Sequence, residues 1–339
     1  MQKKLIALAV AGLVSAPAFA QSNVTIYGVA DAAIGFGSHG DNDFSGVVGG
    51  VLSGNRVGFK GTEDLGNGLK AVFTLEQGYD IGNGAEMDAT KAFARQALVG
   101  LSGSFGTVSL GRQYAPGYFF NYDAVLGASV GPQSVLSNGA GMSITPNSAA
   151  RWDNSVAYTG SFSGLTARAI YAMKTVETAA DPDDDDAYGL SVDYANGPLS
   201  VGAVYQVMQN NVEDQEEWGI GGGYDFGVVK VTGSYQAVEG LKFAKGAEGD
   251  LWQVGVIVPV SAAGNVHFAY GEYDRDDVNN AGAESYSLAY THALSKRTTA
   301  YVAYNNTENE SGVGNFGVVA GTANGDDSDI FAVGIRHTF

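Results

Sequence analysis

The chain has 339 residues, with 36 Asp plus Glu against 18 Lys plus Arg and a formal net charge of −18. Such an acidic excess argues against nucleic acid or an anionic membrane surface as the partner, and the absence of cysteine excludes disulfide staples as a source of stability. The longest clean apolar run outside the first residues, 254–260, falls far short of the roughly 20 residues a membrane-crossing helix requires, so any crossing has to be made by strands.

Taken in chain order, residues 1–20 read as a secretory signal peptide. Lys3 and Lys4 precede an apolar run from Leu5 to Val14, and Ala18-Phe19-Ala20 forms a small-residue cleavage site. Cleavage is expected after Ala20, leaving one unit over 21–339. From there the period-2 alternation of half-apolar strands recurs. Leu69, Ala71, Phe73 and Leu75 alternate with Lys70, Val72, Thr74 and Glu76; Tyr188, Leu190, Val192 and Tyr194 share one parity, as do Trp218, Ile220, Gly222 and Tyr224. Runs between turn signals predict strands near 24–35, 55–63, 69–79, 93–102, 106–114, 151–159, 165–173, 187–195, 199–208, 218–225, 228–237, 250–259, 265–274, 284–293, 298–306 and 329–339.

The connections alternate between tight turns, such as Asn196-Gly197-Pro198 and Phe226-Gly227, and long polar segments. A soluble sandwich does not sort its loops in this way. Strands of about ten residues, rising about 3.3 Å each and tilted about 40°, span roughly the 25 Å apolar band of an outer membrane. The pattern predicts an all-β fold, a 16-stranded antiparallel transmembrane β-barrel with short periplasmic turns and long extracellular loops. An even strand count brings both ends to the periplasmic side, where their strands pair and remove every sheet edge. In the last strand Phe331, Val333, Ile335, His337 and the terminal Phe339 share one parity. This ending looks like the assembly signal that bacterial outer-membrane proteins present to the barrel-assembly machinery.

Several segments in order carry a closer resemblance: Val24-Thr25-Ile26-Tyr27-Gly28-Val29-Ala30-Asp31, Arg56-Val57-Gly58-Phe59-Lys60-Gly61-Thr62-Glu63-Asp64-Leu65-Gly66, Gly106-Thr107-Val108-Ser109-Leu110-Gly111-Arg112-Gln113, and Gly334-Ile335-Arg336-His337-Thr338-Phe339. In these the chain resembles the trimeric general porins of Gram-negative bacteria, the β-proteobacterial type in particular, from Gln21 to Phe339. The resemblance implies a homotrimer in the outer membrane, a water-filled channel for passive diffusion of ions and small hydrophilic solutes, and a third external loop, 115–150, folded into the lumen as a constriction.

In a pore the chemistry is electrostatic, because fixed charges at the narrow point decide which ions pass. With Val57 and Phe59 outward, Arg56 and Lys60 face the lumen; the same parity argument places Arg151 inside opposite Val156 and Tyr158, Arg168 inside opposite Leu165 and Tyr171, and Arg95 inside opposite Leu98. These five form the expected basic wall, facing Asp123, the single formal charge of the 115–150 loop, and they imply a modest anion preference. Arg112 shares the outward parity of Val108 and Leu110, so either a bulge turns it inward or it meets a neighbouring subunit; the family analogy favours the contact.

Acidic residues gather at 181–186, 213–217, 272–277, 308–310 and 326–329, all read as long-loop positions. Solvated surface is the simple reading, and divalent bridging to lipopolysaccharide the sharper one; no run has EF-hand spacing, so no cofactor is expected and calcium at these loops is an alternative. Gly127-Ala128-Ser129-Val130-Gly131 matches the nucleophile pattern without its strand-turn-helix setting. Gly35-Phe36-Gly37-Ser38-His39-Gly40 matches a dinucleotide fingerprint without a following helix and reads as flexible loop. The four histidines show no metal spacing. A barrel hydrolase using His292 and a closed adhesin-like barrel are the competing function classes.

Overall fold

The computed structural model describes residues 23–125, 127, 129–146, 150–173, 185–312, 316–317, 321 and 323–339. The expected signal peptide and Asp181, Asp183 and Asp184 of the first acidic run lie outside them. The strands are β1 (Asn23–His39), β2 (Asn42–Gly49), β3 (Arg56–Gly66), β4 (Leu69–Gly78), β5 (Gln96–Gly103), β6 (Gly106–Tyr114), β7 (Arg151–Phe162), β8 (Leu165–Ala172), β9 (Ala187–Asn196), β10 (Leu199–Met208), β11 (Gln215–Asp225), β12 (Lys230–Glu239), β13 (Glu248–Pro259), β14 (Gly264–Arg275), β15 (Ala283–Ala293), β16 (Thr298–Asn309) and β17 (Ser328–Thr338). All pair antiparallel in one sheet, which closes where β17 meets β1 from Val29↔Thr338 to His39↔Ser328.

Seventeen segments make a sixteen-stranded barrel because β2 and β3 occupy one strand position. The upper part of β1, from Ala32 to His39, pairs with β2, while its lower part, from Asn23 to Val29, pairs with β3. This corrects the sequence reading of 36–54 as a long loop, and of the glycine fingerprint at 35–40 as a flexible one. The strand runs on to His39, a two-residue turn reverses it at Gly40 and Asp41, and the chain descends again as β2. Without β2 the upper edge of β1 would lack a ladder partner on that side, which a membrane-embedded sheet does not tolerate.

Side chains on the outer parity are apolar and exposed, among them Val99, Leu101, Leu190, Ile220, Val254, Leu288, Val333 and Ile335. With no lipid around them, this is the surface that faces the bilayer. Trp218 and Tyr235, Trp252 and Tyr270, and Tyr286 and Tyr304 stand in ring contact on the same face, as an interfacial girdle does. Among the described residues no helix is long and apolar enough to cross a membrane.

The packed core therefore sits inside the barrel, where the 115–150 loop meets the inner wall. Ala269, Ala289, Ala303 and Ala332 make that wall shallow enough to seat Val51, Ala124, Val125 and Val130. Farther along, Leu136, Ala140 and Met142 pack on Val238, Leu251 and Tyr273. Phe120 and Tyr122 lie over β11, whose Gly221 has no Cβ to strike the Tyr122 ring.

Candidate pore constriction

The 115–150 loop leaves the wall at Ala115 and crosses the lumen through a 3-10 turn, Pro116–Phe119. It continues to a helix, α1 (Pro132–Ala140), that Pro132 starts and Gly141, at φ +90°, ends. A row of wall glutamines holds the loop to β10–β13. Gln206 accepts from the Gly117 N–H at 2.5 Å and donates to Ser143 Oγ at 2.8 Å; Gln236 donates to the Ile144 carbonyl at 3.1 Å and Gln253 to the Tyr122 carbonyl at 2.8 Å. His267 meets the Ala124 carbonyl at 2.9 Å. Glu217 is fully buried on β11 and accepts from the Ser143 and Ile144 N–H groups at 2.5 and 2.8 Å. Its expected place at a solvated loop is thus corrected: it belongs to the anchorage of the constriction loop.

The opposite wall, β3 to β8, carries the arginines of the expected cluster. Arg56 donates to Ser53 Oγ and the Gly54 carbonyl and stands 3.7 Å from Glu76. Arg95 bonds Glu76 at 2.8 Å and donates to the Tyr114 hydroxyl at 2.7 Å. Parity does not place Arg95, which pairs with Glu76 all the same. Leu98 faces inward, beside Gln96 and Thr74, and Arg95 precedes β5. Arg151 lies over the Tyr114 ring at 4.9 Å and near Tyr118 at 5.9 Å, and its Nε has no hydrogen-bond partner among the described residues. Arg168 bridges Asp193 and sits 4.4 Å from the Phe119 ring centroid. Lys60 is exposed, 4.9 Å from the Tyr27 ring.

Asp123 does not face this cluster. It is 5% exposed, and its two oxygens accept from the Val125 and Gln133 N–H groups at 2.9 and 3.0 Å, tying the loop to the first turn of α1. Burial pushes its carboxyl up to about 7. The carboxylate that does meet the arginines is Glu76, which also accepts from Tyr27 at 2.8 Å and Tyr114 at 3.0 Å. It shares the inner parity of Lys70 and Thr74, a signal present in the sequence.

A second unforeseen element is the inward break of the second strand position, Gly50 to Asn55. Asp31, fully buried, accepts from the Leu52 and Ser53 N–H groups at 2.8 Å each and from the Tyr301 hydroxyl at 2.5 Å. The break is thereby clamped into the lumen just before Arg56. It faces a cavity of about 340 Å³ that Arg56, Arg336, His267, Tyr118 and Asn121 line. Arg336 was equally legible, since it alternates with the outward Val333–Ile335–His337 series of β17.

Arg112 remains on the outer side despite a register shift between Gly111 and Gln113. It donates to the Ala94 carbonyl at 2.7 Å and shares Asp153 with Lys91, both pairs at 2.6 Å. Phe339 is half exposed, and its backbone closes the barrel through paired bonds to Gly28 at 3.1 and 3.2 Å. His292 contacts Tyr290 at 2.9 Å on the outward parity. The nucleophile-like pattern lies within the constriction loop, its Ala128 outside the described residues.

Residues 7–312 match the family described as Gram-negative porin. The chain is 35% identical over 361 residues to the outer membrane porin protein 32 of Delftia acidovorans and 32% identical over 404 residues to an outer membrane porin protein of Bordetella pertussis, in both cases covering 100% of each chain. Among solved structures, an anion-selective porin from Comamonas acidovorans superposes with a TM-score of 0.80 at 31% identity, covering 94% of this chain and 100% of that one.

Proposed function

Because the chain belongs to the Gram-negative porin family, and is as such an outer-membrane channel for passive diffusion, we propose that its waist passes small hydrophilic solutes with a modest preference for anions. One observation carries this: around the open passage Arg56, Lys60, Arg95, Arg151, Arg168 and Arg336 stand against Glu76, Asp193 and Asp31, an excess of positive charge in a net-acidic molecule. In a narrow, low-dielectric passage such an imbalance biases the ions that enter. The preference is modest because Glu76 and Asp193 each engage arginines directly. An anion-selective structural relative agrees with that sign.

The finer parts of the reading follow from the surface. We assign the Arg112–Asp153–Lys91 network on the outer face to a contact between subunits of a homotrimer, where a charged cluster is sheltered from lipid. Phe339, at the closing seam, serves as the assembly signal, and residues 1–20 as the leader that exports the chain. The acidic external positions, where Glu272, Glu284 and Glu308 stand side by side on adjacent strands, meet lipopolysaccharide through divalent cations, which would relieve like charges placed directly opposite one another. The channel reading is tested by swelling of liposomes loaded with the purified protein. Neutral sugars should enter, and an anionic solute should enter faster than a cation of equal size; no swelling in any of them contradicts it.

A further inference from the structure

Between the inner face of β4–β8 and the 3-10 turn lies a second recess, of about 270 Å³, separate from the Arg56–Arg336 cavity. Its composition departs from the rule of a water-filled barrel, whose inner parity is polar. Leu98 and Ile170 both point into it, Ile170 only 5% exposed, and Phe119 covers it from the loop. Two of the hydroxyls along it are already engaged with the wall, Thr107 with Ser102 at 2.9 Å and Ser109 with Gln113 at 2.6 Å. Among the described residues the one charged group on its lining is Arg168, held above Phe119.

We propose that this recess is a subsite for small amphipathic monocarboxylates, the acid group on Arg168 and one ring or branched alkyl body on the shelf of Leu98, Ile170 and Phe119. A guanidinium has five N–H donors, and the bridge to Asp193 engages Nη1. A second edge is left for a carboxylate, in the paired geometry that suits arginine. Asp193 also sets a limit, since a second acid group on the solute would meet its charge. Drug-sized ligands occupy pockets of about 300–1,000 Å³, so a recess below that range suits a single ring. The site stands on the open side of the passage, where a solute held weakly is also released, as conduction requires.

The inference deepens the channel reading and rests on the lumen being open to solute. Benzoate is the probe, with acetate and benzylamine as controls for the missing ring and the reversed charge. Ligand-observed NMR titration of the purified, detergent-solubilised protein should show saturable binding of benzoate in the millimolar range and weaker binding of both controls. Arg168→Gln should weaken benzoate about tenfold, the factor that goes with one lost charge-assisted hydrogen bond. Phe119→Ser, in a loop residue that is 39% exposed and so outside the folding core, should weaken it as well. Benzoate binding no better than acetate, or both variants binding as the unaltered chain does, overturns the subsite. Conductance of the same preparations in KCl separates the two ideas. A conducting channel without benzoate preference leaves the pore and removes the subsite; a chain that binds benzoate but does not conduct keeps the subsite and removes the channel.

Discussion

Glu76 is the residue at which the waist's charge balance is most sensitive. Buried at 2% exposure, it meets Arg95 at 2.8 Å and Arg56 at 3.7 Å, so Glu76→Gln removes a charge while retaining a hydrogen-bonding side chain of the same shape. Two unit charges 4 Å apart interact by about 1 kcal/mol even in water, so we expect the anion-to-cation permeability ratio to rise roughly fivefold, read as a shifted zero-current potential. Thermal stability should fall, because an uncompensated buried arginine remains. Asp123 gives the opposite kind of test. Its carboxyl is raised from 3.8 to about 7 by burial, so its contribution is fully present below about pH 3.8 and lost as pH rises through about 7. The protection of the Val125 and Gln133 amides, corrected for the intrinsic pH dependence of exchange, should fall over that window, and Asp123→Asn should flatten that dependence. At this scale parity reads direction only along an unbroken ladder: an inward leucine breaks the alternation used for Arg95, and a register shift lies between Arg151 and the outward Val156 used to place it. Asp123 is beyond the reach of the rule because a loop has no period from which to read direction.

Two elements narrow the passage, and only one announces itself. The constriction loop is long and rich in aromatics, whereas the break at 50–55 sits in a glycine- and serine-rich stretch that reads as an ordinary loop. Its inward course depends on Asp31, whose N–H donors on Leu52 and Ser53 lie 21 and 22 residues away along the chain, a distance at which no local pattern operates. The glutamine row was equally hidden, since polar residues on an inner parity look like pore lining whether they face water or a docked loop. Each of its hydrogen bonds contributes on the order of 0.5–1.5 kcal/mol net. Replacing Gln206 and Gln253 together by Ala should leave the barrel assembled but loosen the loop, giving larger and noisier single-channel openings; quiet openings of unchanged size would contradict this anchorage.

For the whole molecule, the closed sheet was the most legible property, because alternation, an even strand count and lipid-facing apolar parity all require the same architecture. Closure runs through eleven register pairs between β1 and β17 and the final Phe339–Gly28 bonds. Deleting Phe339 should therefore lower the yield of heat-resistant, folded protein in outer membranes without changing the conductance of the channels that do assemble. What the sequence could not reveal at this scale was which charges govern passage, since −18 overall says nothing about the sign at the waist. The zero-current potential across a KCl gradient in a planar bilayer measures that sign directly. We predict a chloride-preferring potential that persists at high salt, where rim charges are screened within about 3 Å at 1 M while the waist arginines still line the ions' path. A cation-preferring potential that survives the same high salt would contradict the account.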